Sequence, residues 1–344
     1  MQVTTIGLDL AKNVFQVHGV DGNGLVVVRK ALRRAQLLLF FKELPPCLVG
    51  MEACSSAHYW ARELSALGHA VKLMPPSYVK PYVKRGKNDA ADAAAICEAV
   101  TRPTMRFVAI KSPEQQAVLM LHRARALLMR QRTMTVNALR GHLAEFGLIA
   151  AQGAKSLAAL IEDVFGSGSS EAHVIPLLAR RALAPLMAQV RELATQIKAI
   201  DAELRVWHQT NAASKRLMTI PGVGFITATA IAATVTDPSH FRSGRQFAAW
   251  LGLVPRQNSS GGKERLGSIS KMGDRYLRTL LVVGATSVIR YARGKNAAGA
   301  QWINELLARR PVRLVSVALA NKTARIIWAV LAHGDTYRAP VTVA

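Results

Sequence analysis

Two apolar runs of strand length each contain or end on a carboxylate, and that pairing restricts the fold more than any other feature. Ile6-Gly7-Leu8-Asp9-Leu10 reads as a buried strand carrying Asp9, and Leu48-Val49-Gly50-Met51-Glu52 as a second that closes on Glu52. A carboxylate at the end of a buried strand is costly unless something compensates it. A third acidic element, Lys87-Asn88-Asp89-Ala90-Ala91-Asp92, opens an Ala-rich helix, and its i, i+3 spacing puts Asp89 and Asp92 on one helix face. Divalent ions would compensate such a quartet, and two metals about 4 Å apart are a recurrent phosphoryl-transfer device. Each acid alone has a plainer role: Asp89, for instance, suits a first turn stabilised by the helix dipole.

The order of elements around these acids gives the fold class. Val3 to Leu10, Val14 to Val20 and Leu25 to Arg29 read as three strands, the last two joined by the hairpin signal Asp21-Gly22-Asn23-Gly24. A helix, the strand ending at Glu52, a helix over Ala57–Leu67 stopped by Gly68, a strand over Ala70–Met74 and the Asp89/Asp92 helix follow. Three antiparallel strands and then helix, strand, helix, strand, helix is the order of a ribonuclease-H-like α/β domain, expected over residues 1–112.

Residues 113–212 read as a helical region. Ser112-Pro113-Glu114-Gln115 signals a helix start, and that helix should run to about Phe146 with Gly147 at its end. It carries Arg123, Arg125, Arg130 and Arg132, and Gly166-Ser167-Gly168-Ser169-Ser170 then marks a flexible break. Leu183, Leu186, Val190, Leu193, Ile197, Ile200 and Leu204 alternate spacings of three and four, an a/d seam of coiled-coil type. That seam could pack on the Pro113–Phe146 helix of the same chain or pair two protomers.

A mainly helical third region is expected over 213–344. Ile220-Pro221-Gly222-Val223-Gly224 has the character of a helix-hairpin-helix turn, with N–H groups free to meet a phosphate. Ser259-Ser260-Gly261-Gly262-Lys263 puts a hydroxyl on a glycine-rich loop flanked by bases, which suits a nucleophile attacking a phosphate and suits an ordinary Ser/Gly turn as well. Lys263, Arg265, Lys271, Arg275 and Arg278, with the Gly222 and Gly224 backbone, are the candidate nucleic-acid contacts.

Charge names the partner class. The chain has 344 residues, 45 Lys/Arg and 21 Asp/Glu, a net of +24, far more than solubility requires, so a polyanion such as nucleic acid is expected. From Arg256 to Arg338 there are 15 Lys/Arg against 4 Asp/Glu, so binding should be steeply salt-dependent. Cys47, Cys54 and Cys97 show no metal or disulfide spacing, and a reducing cytoplasm fits them. There is no basic stretch before an apolar one at the N-terminus and no apolar run of about 18 residues, so neither a signal peptide nor a membrane span is expected. His18, His58 and His122 share no ligand spacing and read as ordinary, Lys12 suits a phosphate contact or a solvated strand end, and Trp250, Trp302 and Trp328 read as core.

The set as a whole resembles a known family. Gly7-Leu8-Asp9-Leu10-Ala11-Lys12, Met51-Glu52-Ala53, Asn88-Asp89-Ala90-Ala91-Asp92, Ile220-Pro221-Gly222-Val223-Gly224, and Gly252-Leu253-Val254-Pro255 through Ser260-Gly261 to Ser270-Lys271-Met272-Gly273 occur in the order seen in DEDD-type insertion-sequence transposases, the class that includes Piv-like DNA invertases. The resemblance implies a RuvC-like domain, a coiled-coil linker and a transposase domain with a catalytic serine. It implies Mg²⁺ held by Asp9, Glu52, Asp89 and Asp92 in a two-metal site. It assigns the nucleophile to Ser260, which directly precedes a glycine, with Ser259 the alternative. It further implies target and donor DNA as substrates, a structured guide RNA, a homodimer or homotetramer, no membrane partner, and a tetrad in one protomer meeting the serine of another. A RuvC-like junction nuclease using metal-activated water is the competing enzyme. A non-catalytic DNA-binding protein is the competing non-enzyme.

Overall fold

The computed structural model describes residues 2–84, 88–165, 175–293 and 300–339, and the Gly166–Ser170 stretch lies outside the described residues. The chain divides into two compact units, Met1–Pro113 and Glu114–Ala344.

The first unit is built on a five-stranded sheet. Its elements are β1 (Thr5–Asp9), β2 (Val14–Val20), β3 (Val26–Arg33), α1 (Leu37–Lys42), β4 (Leu48–Glu52), α2 (Ala57–Ala66), β5 (Ala70–Met74), α3 (Pro76–Val79) and α4 (Asp89–Val100). The strand order is β3-β2-β1-β4-β5, with β1–β2 and β2–β3 antiparallel and β1–β4 and β4–β5 parallel. The Asp21 carboxylate closes the first hairpin by accepting from the N–H groups of Asn23 and Leu25, both at 2.9 Å, and Gly24 takes the left-handed conformation there. Ile6, Leu8, Val49, Met51 and Leu73 are fully buried, so the central strands read as apolar runs because both faces of the sheet are covered.

Two glycines decide where α4 rests. A Cβ on Gly7 would lie 2.1 Å from the carbonyl oxygen of Ala93 and 2.4 Å from the backbone nitrogen of Cys97. A Cβ on Gly50 would lie 2.7 Å from Val100 Cβ. The helix backbone therefore lies directly on β1, a distance no other residue type allows.

Among its described residues the second unit is helical apart from one hairpin. It contains most of α5 (Pro113–Ala144), then α6 (Ala154–Phe165), α7 (Leu177–Thr210), α8 (Ala212–Met218), α9 (Phe225–Thr234), α10 (Gly244–Trp250), β6 (Pro255–Gln257), β7 (Leu266–Ile269), α11 (Arg275–Ala292), α12 (Ala300–Arg309) and α13 (Val312–His333). The long helices α5 and α7 run antiparallel. Trp207 Nε1 donates to Glu114 Oε1, Arg125 pairs with Asp201, and Thr135 Oγ1 meets Gln189 Oε1. The seam of α7 is used inside the chain: Leu183, Leu186 and Val190 pack with Val136, Leu139 and Leu143 of α5, and Ile200 and Leu204 pack with Val118.

Around α13 lies the main core. Val315, Ala320, Ala324 and Ile327 are fully buried against α10 and α11. By length and hydropathy α13 would pass for a membrane span although no unbroken apolar run reaches that length, but it is the central helix of a packed unit and carries Arg313, Lys322 and Arg325. Trp328 is tied in by Nε1 to the carbonyls of Pro238 and Phe241, whereas Trp250, expected in the core, is 38% exposed beside Phe241 and Phe247.

A buried polar junction joins α5, α9 and α11. His122, 1% exposed, sits 3.0 Å from the Tyr276 hydroxyl through Nδ1 and 3.1 Å from Thr229 Oγ1 through Nε2. The Thr229 hydroxyl donates to the Phe225 carbonyl at 2.8 Å, so it accepts from Nε2–H, and Nδ1 accepts from Tyr276. The ring is thus neutral and fully partnered. Burial, then the Arg125 charge, lowers its pKa from 6.5 to about 4, with Asp201 opposing.

Gly7→Val should lift α4 from β1 and destabilise the first unit by about 3 kcal/mol or more, read from the midpoint of urea unfolding. His122 contributes its full stabilisation above pH 6.5 and loses it as the pH falls toward 4. The second unit should lose about 3 kcal/mol across that window, and His122→Gln should flatten that part of the stability–pH curve.

Candidate active site

The acids converge through the sheet register. Leu8 pairs with Met51 across the parallel β1–β4 ladder, so Asp9 and Glu52 follow at one level on neighbouring strands. Side chains alternate along a strand, so Asp9 shares the face of Gly7 and Glu52 the face of Gly50, which is the face α4 covers. At the start of α4, the Asn88 side chain caps the helix by accepting from the Ala90 N–H at 3.0 Å, and Asp89 and Asp92 stand in the first turn. Carboxylate oxygens of Asp9, Asp89 and Asp92 come within 4.8 Å of one another. Glu52 lies outside this tight trio but feels its charge.

The electrostatics show a cluster with no ion-pair partner among the described residues. Burial, then Asp92 and Asp89, raises the Asp9 carboxyl above its ordinary range, with the Leu10 N–H pulling the other way. Burial, then Asp9 and Asp92, raises Glu52. Cys54, just past β4, has its thiol raised by burial, Glu52 and Asp9, so it stays protonated beside the acids. Among the described residues the ion pairs are Arg102–Glu98 and Arg125–Asp201, and none of the four acids takes part. Hard carboxylate oxygens packed this closely without a Lys or Arg partner fit a divalent cation of the Mg²⁺ or Mn²⁺ type.

The serines sit elsewhere, in the second unit. Strands β6 and β7 are antiparallel, and Ser260 and Lys263 bridge beyond them. Gly261 (φ 56°) and Gly262 (φ 75°) make the two-residue tip, as a hairpin of type I′ requires. The two hydroxyls differ. Ser259 Oγ accepts from the Arg265 N–H at 3.1 Å and so helps hold the hairpin. The Ser260 side chain is exposed, and its hydroxyl has no hydrogen-bond partner among the described residues.

The remaining candidate contacts fall into two groups. Lys263, Arg265, Lys271 and Arg275 are exposed. Lys271 holds a left-handed conformation (φ 55°), with its N–H on the Gly252 carbonyl at 3.1 Å. Arg278 is already engaged, its Nη1 donating to the Leu251 carbonyl at 2.8 Å. Gly222 (φ 82°) lies in the turn between α8 and α9 and packs backbone to backbone on α11, where a Cβ on Gly284 would lie 2.0 Å from the Gly222 oxygen. Gly224 stands at the N-cap position of α9 without a side-chain cap and has open space beside it. Gly284 had no signal in the sequence beyond being a glycine inside an apolar helix.

Comparison with known proteins places the chain. A transposase family model of the DEDD type matches residues 6–147, and the model for the transposase IS116/IS110/IS902 family matches residues 214–300. The chain belongs to the IS116/IS110/IS902 family of transposases. Among its relatives are a "Probable family 20 transposase" of Pseudomonas aeruginosa PAO1, 52% identical over 98% of this chain and 99% of that protein, and the transposase for insertion sequence element IS1328 of Yersinia enterocolitica, 42% identical over 97% and 98%. The transposase for insertion sequence element IS1111A of Coxiella burnetii is 41% identical over 98% and 92%. This transposase is thus an enzyme acting on DNA, and its N-terminal family match covers all four acids.

Because ionised carboxylates repel one another here, neutralising one should help the metal-free fold. Asp9→Asn is expected to raise the melting temperature in chelator, to gain less stability than the parent protein when a divalent cation is added, and to lower transposition activity about 10²-fold or more. Paired melts with and without Mg²⁺ check all but the last point, which a transposition assay checks.

Proposed function

We propose that this transposase cuts and rejoins DNA strands of an insertion sequence through a covalent serine intermediate. Asp9, Glu52, Asp89 and Asp92 of a RuvC-like unit would hold Mg²⁺. The observation that carries the reading is the convergence of Asp9, Asp89 and Asp92 within 4.8 Å with no ion-pair partner among the described residues. Divalent ions bound there would supply positive charge against the negative charge that develops on phosphate oxygens during transfer.

The protein's own residues supply the rest. Ser260 Oγ attacks the phosphorus of a DNA phosphodiester. The Oγ–P bond forms, the P–O bond to the departing strand breaks, and that strand leaves with its oxygen protonated by the proton the serine gives up. Rejoining is the reverse, with a strand hydroxyl attacking the phosphoserine. The bond energy is conserved, so no nucleotide cofactor is needed. The partnerless hydroxyl at the hairpin tip favours Ser260 over Ser259, whose hydroxyl serves the hairpin. Lys263 and Arg265 stand on the same hairpin to offset phosphate charge.

Helices α8 and α9 act in this reading as a helix-hairpin-helix, with the uncapped N–H groups of α9 behind Gly224 offered to a backbone phosphate. The excess of 24 positive charges suits two nucleic-acid partners, the DNA and a structured guide RNA. Two serine-linked strand ends must be exchanged, so the acting species is a homodimer or homotetramer in which α5 and α7 form the coiled-coil linker.

Denaturing gels of the protein incubated with element-end DNA, flank-encoded RNA and Mg²⁺ test the chemistry. The parent protein and Ser259→Ala should give a slow-migrating covalent protein–DNA species, and Ser260→Ala should give none while retaining DNA affinity within about twofold. An adduct that survives Ser260→Ala places the nucleophile elsewhere. Cleavage without any adduct supports a metal-dependent nuclease instead.

A further inference from the structure

The first unit contains a second polar concavity that the acids do not use. It is a groove of about 420 Å³ between the β2–β3 hairpin, α4 and the segment after α3. Arg29, Lys84 and Arg102 line it against one carboxylate, Glu98, and that carboxylate is already paired with Arg102 at 2.7 Å. Tyr82 lines it too, with the Arg102 guanidinium 5.9 Å from the ring centroid. His18, 8% exposed and cross-strand partner of Arg29, lines the groove with no hydrogen bond among the described residues.

We propose that this groove binds one nucleotide of a single-stranded nucleic acid. The chemistry matches the two halves of such a ligand. Arg29 and Lys84 would face the anion, and the His18 ring offers a directional polar contact that no described residue takes up. The Tyr82 ring with its guanidinium neighbour offers a stacking surface that accepts any base, the usual means of holding single strands without reading sequence. A small anion alone would not use the aromatic wall, and a duplex would not fit a groove of this volume.

The placement ties the groove to the reaction. Both it and the acid cluster are built on α4, with Asp92 at one end and Arg102 just past the other, about 15 Å apart at the rise of an α-helix. A strand lying along α4 would have one nucleotide seated in the groove while a phosphate a few steps away lies at the carboxylates. The inference rests on the family's action on DNA and not on the serine chemistry, so it can fail or stand independently of the adduct.

Photocrosslinking tests it. The full chain, as parent and as Ser260→Ala, is irradiated with a short DNA carrying 5-bromouracil and separately with a short RNA carrying 4-thiouracil, and crosslinked peptides are mapped by mass spectrometry. A crosslink on the peptide containing Tyr82 is expected with at least one probe, and which probe gives it tells whether the strand is DNA or RNA. Arg29→Glu combined with Lys84→Glu should lower that crosslink at least about tenfold and leave crosslinks in the second unit unchanged, whereas Tyr82→Phe should keep it. An unchanged second-unit pattern also reports that the charge-reversed chain remains folded there, and an unchanged melting temperature reports the same for the first unit. No crosslink in the Tyr82 peptide with either probe, or one insensitive to the charge reversal, overturns the proposal.

Discussion

Everything in the first unit turns on how closely α4 lies on the sheet. Gly7 and Gly50 each occupy the position two residues before an acid, on the same face of their strand. They let a helix backbone come within contact distance of β1, and that brings Asp89 and Asp92 of the first helical turn to the Asp9 carboxylate. The same glycine that clears space at one pleat therefore sets the acid geometry at the next. The arrangement is electrostatically unfavourable in itself, since burial and like charge raise both Asp9 and Glu52. It persists because the apolar side chains on the opposite faces of β1 and β4, such as Leu8 and Met51, are fully buried and fix the strand register.

The second unit answers a different requirement. Its hairpin tip presents a hydroxyl and two bases to solvent, and a two-glycine turn of positive φ keeps the Ser260 side chain clear of the strands. What holds this exposed element is a rigid surround. Ser259 and Arg265 lock the hairpin, Ser270 and Lys271 return their N–H groups to the carbonyls of Val254 and Gly252, and Arg278 donates to Leu251. The neutral His122 junction then fixes the start of α11, the helix that follows the hairpin, against α5 and α9.

Much of the first unit was legible in the residues, because strand runs ending in acids and a glycine-marked hairpin are local signals. The order of elements, the hairpin at Asp21–Gly24 and the paired acids of α4 all stand as the spacing predicts. What local pattern did not reveal were contacts made across the fold. Nothing near Gly7 or Gly50 announces a helix backbone overhead, and Gly284 carries no sign that Gly222 meets it. His18 and His122 look alike in sequence, yet one is fully partnered and the other faces a groove. The α7 seam had two possible partners by spacing alone. Most of it is taken by α5, as the Thr135–Gln189 and Arg125–Asp201 contacts indicate.

The distribution of charge supplies the last step. A net of +24 suggests a uniformly basic surface, yet Asp9, Asp89 and Asp92 form a small negative site with no ion-pair partner among the described residues. Long-range attraction would draw a polyanion to the chain as a whole, while the carboxylates would repel its phosphates locally. Those two tendencies conflict unless a divalent cation bridges them, since a cation at the acids would offset their charge and offer a phosphate oxygen a place to coordinate. Discrimination between binding and reacting would then be set by metal occupancy. Strands could be gathered along the basic surfaces without engaging the acids until the cluster is loaded.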